Sequence, residues 1–264
     1  MAVIAMCSAR GSPGVTTAGL ALTLTWRHRV ALAECDPAGG TVQAGYLAGG
    51  LPADRGIGEL AVAELRGEDL HRVWWAQLVD LEPPQRRRLL LPGIADPVQA
   101  GALQPVWPRL AGFFADLAHG KGESGWDVIA DCGRLAAAHT PWPLLTQADL
   151  LLLVLPATLP GLSAATPAVR MLRSQLEQAG SGLDRLGLLL CGSGDQTSRA
   201  VAHLLDTPVV AELPHDPRTA RALSGGGTVR ARSPLLTAAH LAGRALQRRA
   251  ARLPAEPAST RTAR

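Results

Sequence analysis

Residues 150–155 read Leu-Leu-Leu-Leu-Val-Leu, a run with no polar side to offer water. A strand this apolar must be covered on both faces, which is the normal state of a strand inside a parallel sheet. Comparable short runs recur at 2–7, 29–34, 89–91, 126–131, 186–191 and 209–213, with the longest at 149–155. Between them lie amphipathic segments at 16–26, 58–66, 99–118, 163–179, 196–205, 217–224 and 235–252, each with helical spacing of its apolar residues. Strand–helix alternation of this kind predicts an α/β fold, a doubly wound and mainly parallel sheet flanked by helices. It forms one domain over 1–252, followed by a disordered tail over 253–264 that has no apolar period. The stretch 82–88, with Pro83-Pro84 and three arginines, is expected to be an exposed connection.

Composition narrows the function. The 264 residues are 47% hydrophobic and 18% charged, enough for a large core. The net charge of +4 is small and scattered, with dense clusters only at Arg86–Arg88 and Arg248–Arg249, so charge alone does not point to nucleic acid. Cys7, Cys35, Cys132 and Cys191 lack metal-type spacing and fall at strand ends, where small buried thiols are expected. The histidines show no ligand spacing. No signal peptide and no membrane span are expected, and the reduced thiols suit a cytoplasmic protein. Trp74, Trp75 and Trp107 are read as core or half-buried residues. The last helix, with Leu235, Leu236, Ala239, Leu241, Ala242 and Leu246 on one stripe, is expected to pack on the sheet.

In doubly wound sheets, ligands sit beyond the carboxyl ends of the strands, so the residues just after each run carry the chemistry. After the first run comes Arg10-Gly11-Ser12-Pro13-Gly14-Val15-Thr16-Thr17. A phosphate loop needs small residues that let backbone N–H groups wrap an anion at a helix N-terminus. It also needs a lysine for the outer phosphates and a hydroxyl for Mg²⁺. Gly11, Gly14 and Thr16 suit those roles, whereas Val15 is a hydrocarbon and Pro13 lacks a donor. After the second run comes Glu34-Cys35-Asp36-Pro37, two acids that can both reach the site or the water around it. Asp131, ending the run before Cys132-Gly133, is placed to hold a Mg²⁺-bound water.

Taken together, these segments resemble the MinD/ParA group of P-loop ATPases, whose deviant Walker A motif reads K-G-G-x-G-K-T-S/T. Aligned on Gly14, Arg10 stands at the family's signature lysine, Gly11 and Ser12 at its two glycines, and Val15 at its main phosphate-binding lysine. Thr16 and Thr17 stand at the hydroxyl pair. Glu34-Cys35-Asp36-Pro37 is similar to the D-x-D-P switch, and Asp131-Cys132-Gly133 to the D-T-P Walker B element. Leu213-Pro214-His215-Asp216-Pro217 resembles the family's closing segment and places Pro214 and Asp216 among the nucleotide-binding positions. Leu190-Cys191-Gly192-Ser193 stands where the family has an asparagine that helps to read the base. The likeness runs over roughly residues 1–250, and Leu91 to Ala102 further resembles the pilus-associated CpaE/TadZ branch.

The resemblance implies ATP and Mg²⁺, with Thr16, Asp36 and Asp131 toward the metal, Asp36 orienting a water, and Arg10 reaching a partner's nucleotide in a homodimer. Its departures weaken that expectation. A charge-assisted hydrogen bond contributes about 1.5–3 kcal/mol, so losing the lysine lowers ATP affinity about ten- to a hundredfold. Hydrolysis suffers more, because phosphoryl transfer depends on stabilising charge in the transition state. The expected protein is a spatial organiser of a Tad/Flp pilus-type or polar assembly, acting through protein partners with nucleotide weak or absent. An active ParA-type ATPase for chromosome or plasmid partitioning, and a nucleotide-independent scaffold, stay open as alternatives.

Overall fold

The computed structural model describes residues 1–11, 14–49, 55–120, 125–135 and 137–253. Its strands are β1 (Val3–Ser8), β2 (Val30–Glu34), β3 (Val79–Asp80), β4 (Arg88–Leu91), β5 (Asp127–Arg134), β6 (Leu150–Leu155), β7 (Leu186–Cys191) and β8 (Val209–Leu213). They form one sheet in the order β3-β4-β2-β5-β1-β6-β7-β8. Every pairing is parallel except that of β3 with β4. The mainly parallel α/β sheet expected from the apolar runs is therefore the one observed.

Period-two alternation explains why the runs carry no polar face. In β1, Val3, Ala5 and Cys7 join one core cluster, while Ile4 and Met6 join the other. β6 divides in the same way, with Leu151, Leu153 and Leu155 on one side and Leu150, Leu152 and Val154 on the other. Helices α1 (Val15–Thr25), α9 (Pro217–Gly225) and α10 (Pro234–Ala250) cover the second face. The first face is covered by α2 (Ile57–Leu65), α3 (Leu70–Gln77), α4 (Ala100–Leu103), α5 (Trp107–His119), α6 (Trp142–Gln147), α7 (Leu159–Gln178) and α8 (Ser198–Leu204).

The details depart from the sequence pattern in places. The helix expected over 99–118 is broken into α4 and α5, because Pro105 and Pro108 lack the N–H that a continuous ladder needs. Helices α3 and α6 and the short β3 were not expected. Helix α7 starts earlier than the apolar period suggested, capped by Thr158, whose hydroxyl oxygen accepts from the Gly161 N–H at 3.3 Å. Leu241 is 59% exposed rather than part of the buried stripe of α10, whose Leu235, Leu236, Ala239, Ala242 and Leu246 do pack inward. Trp74 and Trp107 are core residues, and Cys7, Cys35 and Cys132 are buried thiols. Leu253 packs against the core beyond α10, and residues 254–264 of the expected tail lie outside the described residues. Among the described residues no helix is long and apolar enough to cross a membrane.

At the amino ends of the strands one buried carboxylate ties three elements together. Asp127 accepts from the Ala2 N–H at 2.7 Å, the Trp26 indole at 2.7 Å and Gln247 at 3.2 Å. Asp127→Ala strands these donors in a dry environment and is expected to lower the unfolding free energy by about 2–3 kcal/mol, read by urea titration. A loss under 0.5 kcal/mol, on the order of an ordinary surface change, would contradict the role.

Candidate nucleotide site

Three neighbouring strands, β2, β5 and β1, end at the same edge, with β5 between the other two. Gly14 caps α1 in a left-handed conformation (φ 90°), a geometry that a side chain resists. Among the described residues no side chain caps this helix, and no acid lies in its first turn. Its first N–H groups therefore face the strand ends as donors, with the positive end of the helix dipole behind them. The preceding residue of β1, Ser8, donates its hydroxyl to the Arg10 carbonyl at 2.8 Å and so fixes the start of the loop.

A polar cavity of about 350 Å³ lies here, lined by Ser8, Gly14, Val15, Thr16, Thr17, Asp36, Gly133, Arg134 and Ser224. Thr16 and Asp131 are brought into direct contact, the Thr16 hydroxyl donating to an Asp131 carboxylate oxygen at 2.5 Å. The other Asp131 oxygen accepts from the Gly133 N–H at 3.0 Å. Burial is the main cause that pushes the Asp131 carboxyl up from 3.8 to about 7; Asp36 and Glu34 add to it, while the bonds from Thr16 and Gly133 oppose it. Asp36 sits on the cavity wall, one oxygen accepting from the Ala38 N–H at 2.8 Å. Its carboxyl group lies against Gly133, whose φ of 63° and close approach leave no room for a Cβ.

The other expected residues are distributed as follows. Val15 lines the cavity and also packs into the core, 6% exposed. Gly11 lies at the loop's entrance beside Arg134. Arg10 is exposed and does not line the cavity. Ser12 and Pro13 lie outside the described residues. Pro214 and Asp216 line a second cavity of about 420 Å³, mostly apolar, with Pro156, Cys191, Gly192 and Leu213. The two cavities share Gly14 and Thr17. The Asp216 carboxylate caps α9, accepting from the Thr219 hydroxyl at 2.7 Å and its N–H at 3.1 Å, and also from the Leu235 N–H at 3.3 Å. The Thr219 hydroxyl bond holds that carboxyl below its usual range.

Glu34 departs from expectation. It is 3% exposed and turns away from the cavity to accept from the N–H groups of Thr41 (2.7 Å), Val42 (2.9 Å) and Gly93 (3.3 Å). It ties the loop after β2 to the loop after β4, which is a structural task. Burial pushes its carboxyl up despite those donors.

Arg134 and Ser224 are cavity-lining residues that the sequence pattern did not single out. Ser224, from α9, places its hydroxyl 3.4 Å from that of Thr17. The oxygen donors Thr16, Asp36 and Asp131 suit Mg²⁺, which usually takes one or two carboxylates and completes its shell with water and phosphate. Among the described residues no cluster of three or more His, Cys, Asp or Glu could hold a metal unaided.

The sequence matches no protein-family model and no curated relative. Solved structures are more informative. The chain is similar to the cell division ATPase MinD of Pyrococcus furiosus, at 17% identity and a TM-score of 0.69, over 94% of this chain and 98% of that one. The septum site-determining protein MinD of Pyrococcus horikoshii, solved with Mg-ADP, is 16% identical with a TM-score of 0.67, over 93% and 95%. A ParA family ATPase of Chlorobium tepidum is 15% identical with a TM-score of 0.65, over 92% and 98%. The chain has the MinD/ParA fold. In this fold Gly11 and Gly14 follow β1, Asp36 lies just past β2, and Asp131 lies in the second half of β5.

Proposed function

We propose that the protein is a MinD/ParA-like spatial organiser, serving a Tad/Flp pilus-type or polar assembly as a homodimer that binds MgATP weakly and hydrolyses it slowly or not at all. The observation that carries this reading is the pair of joined cavities, one polar and one apolar, meeting at Gly14 and Thr17. Their chemistry suits a phosphate chain on one side and a base on the other. Val15 puts a hydrocarbon where the resemblance expects a cation, and Cys191 and Gly192 put no amide side chain in the apolar cavity.

In this reading the stretch Gly11, Ser12, Pro13, Gly14, Val15, Thr16 and Thr17 is the phosphate loop, Pro13 adding no N–H donor to it, and Thr16, Asp36 and Asp131 hold Mg²⁺ directly or through water. Asp36 orients a water, Pro214 and Asp216 frame the base, and exposed Arg10 reaches the partner's nucleotide. The bound metal would supply charge neutralisation on the phosphates. The Mg-ADP complex of the horikoshii relative supports the ligand class. The pilus assignment rests on the segment from Leu91 to Ala102, which starts at the last residue of β4 and lies against the loop after β2, the Gly40 N–H donating to the Ile94 carbonyl at 2.9 Å. A cytoplasmic location with recruitment by protein partners completes the proposal.

Calorimetric titration tests it. MgATP is expected to bind more weakly than a low-micromolar ligand, with sedimentation following dimerisation. Low-micromolar affinity would contradict a weakened site, and no binding at about 10 mM, an interaction under about 3 kcal/mol, would contradict a nucleotide site altogether. One feature favours the partition-ATPase alternative: an open cleft at the opposite edge of the sheet, lined by His28, Arg29, Arg86 and Arg87. Steeply salt-dependent binding of nonspecific DNA would move the assignment there.

A further inference from the structure

We propose that Arg134 supplies, from β5, the phosphate-binding cation that position 15 of α1 lacks. The proposal rests on the nucleotide reading above and adds a residue to that site.

Arg134 is the last residue of β5 and stands in register with Ser8, the last residue of β1. The pairing of the two strands is irregular between Met6 and Ser8, and Gly133 is left-handed. Irregularities of this kind re-aim side chains beside functional sites. Here the arginine lies over the glycine loop. A Cβ built on Gly11 would sit 3.5 Å from Arg134 Cδ and 3.6 Å from its Nη1. The same side chain lines the polar cavity with Val15, Thr16 and Asp36.

Its charge is uncommitted. Arg88, Arg109 and Arg173 are paired with Glu82, Glu64 and Asp206, whereas no carboxylate among the described residues pairs with Arg134. Electrostatics require such a group. Among the described residues, the only formal charge left on the cavity wall without Arg134 is the Asp36 carboxylate, with Asp131 just behind Thr16, and a phosphate chain would be repelled. A guanidinium also suits this place, since its planar fork can engage two phosphate oxygens from the side of the loop.

Calorimetry on the full chain separates the possibilities, with MgATP, sodium tripolyphosphate and adenosine as probes. Arg134→Ala and Arg134→Gln are expected to weaken MgATP and tripolyphosphate about tenfold or more, leave adenosine unchanged, and keep the melting temperature of wild type, because the side chain is exposed. Arg134→Lys should lie between, and Val15→Lys in the Arg134→Ala background should restore phosphate affinity. Wild-type MgATP binding that both neutral variants retain within twofold overturns the assignment of Arg134 and leaves the nucleotide reading standing. Equal losses for adenosine and tripolyphosphate also overturn it, since that pattern reports a distorted site. Failure of wild type to bind MgATP overturns the nucleotide reading itself, and this proposal with it.

Discussion

Asp131→Asn is expected to make the ligand-free protein more stable than wild type above pH 8, by about 4 kcal/mol, and to change little near pH 4. Asp131 is 1% exposed, and burial is the main reason its carboxyl titrates near 7 instead of 3.8. The sign follows from proton counting. Between 3.8 and about 7 the folded chain keeps a proton that the unfolded chain has lost, so the favourable contribution of the neutral acid is complete below that window. It is lost as pH rises through the folded value, and above it a buried carboxylate opposes folding. Asparagine carries no charge at any pH and still fits: its oxygen can accept from the Gly133 N–H, and its amide can donate to a rotated Thr16 hydroxyl. Urea unfolding across pH 4–8.5 should show the variant and wild type diverging, and thermal unfolding should place their melting points about 10 °C apart at the alkaline end. A constant difference across that range would show that the charge is not responsible. Mg²⁺ with nucleotide should close part of the gap, since only wild type gains a cation for its carboxylate.

A destabilising acid at a strand end is the form in which functional residues become visible in a sequence. Asp131 could be read because it directly follows the apolar Val128-Ile129-Ala130 stretch, and Thr16 because it opens a helix after glycines. Glu34 looked equally eligible beside Asp36. Its direction is set by the N–H groups of Thr41, Val42 and Gly93, the last far along the chain, so no local pattern could disclose that it serves the loops. Arg134 was hidden for a related reason. In a chain whose basic residues are almost all arginine, one more carries no signal until β5 is laid beside β1. The sheet itself was legible because burial on both faces leaves an unbroken apolar run. Helix α3 was less so: Trp74 packs its ring against Phe113 and Phe114 of α5, partners far along the chain that no local pattern discloses. The break between α4 and α5 had its signal in Pro105 and Pro108, which a periodicity count passes over.

Val15→Lys is expected to raise MgATP affinity about tenfold with Arg134 present and about a hundredfold in the Arg134→Ala background. The difference arises because two cations serving one phosphate chain are not additive. Position 15 is the first residue of α1 and faces the polar cavity, so a lysine there starts where the helix dipole already favours an anion. The substitution has an opposing cost. Val15 also packs with the cluster containing Ile4, Met6 and Leu20, and exchanging it loses part of that burial. The lysine stem can cover the same apolar surface while its ammonium extends into the cavity toward Asp36, which limits the cost to about 1–2 kcal/mol of stability. Calorimetric titration of the single and double variants measures both gains. Unchanged affinity in the two backgrounds would mean that the loop does not present phosphate geometry, and that the substitution at position 15 is then only the most visible of several losses. A gain confined to the Arg134→Ala background would instead mean that the arginine alone already meets the charge requirement, so that the site has exchanged the origin of its cation from α1 to β5.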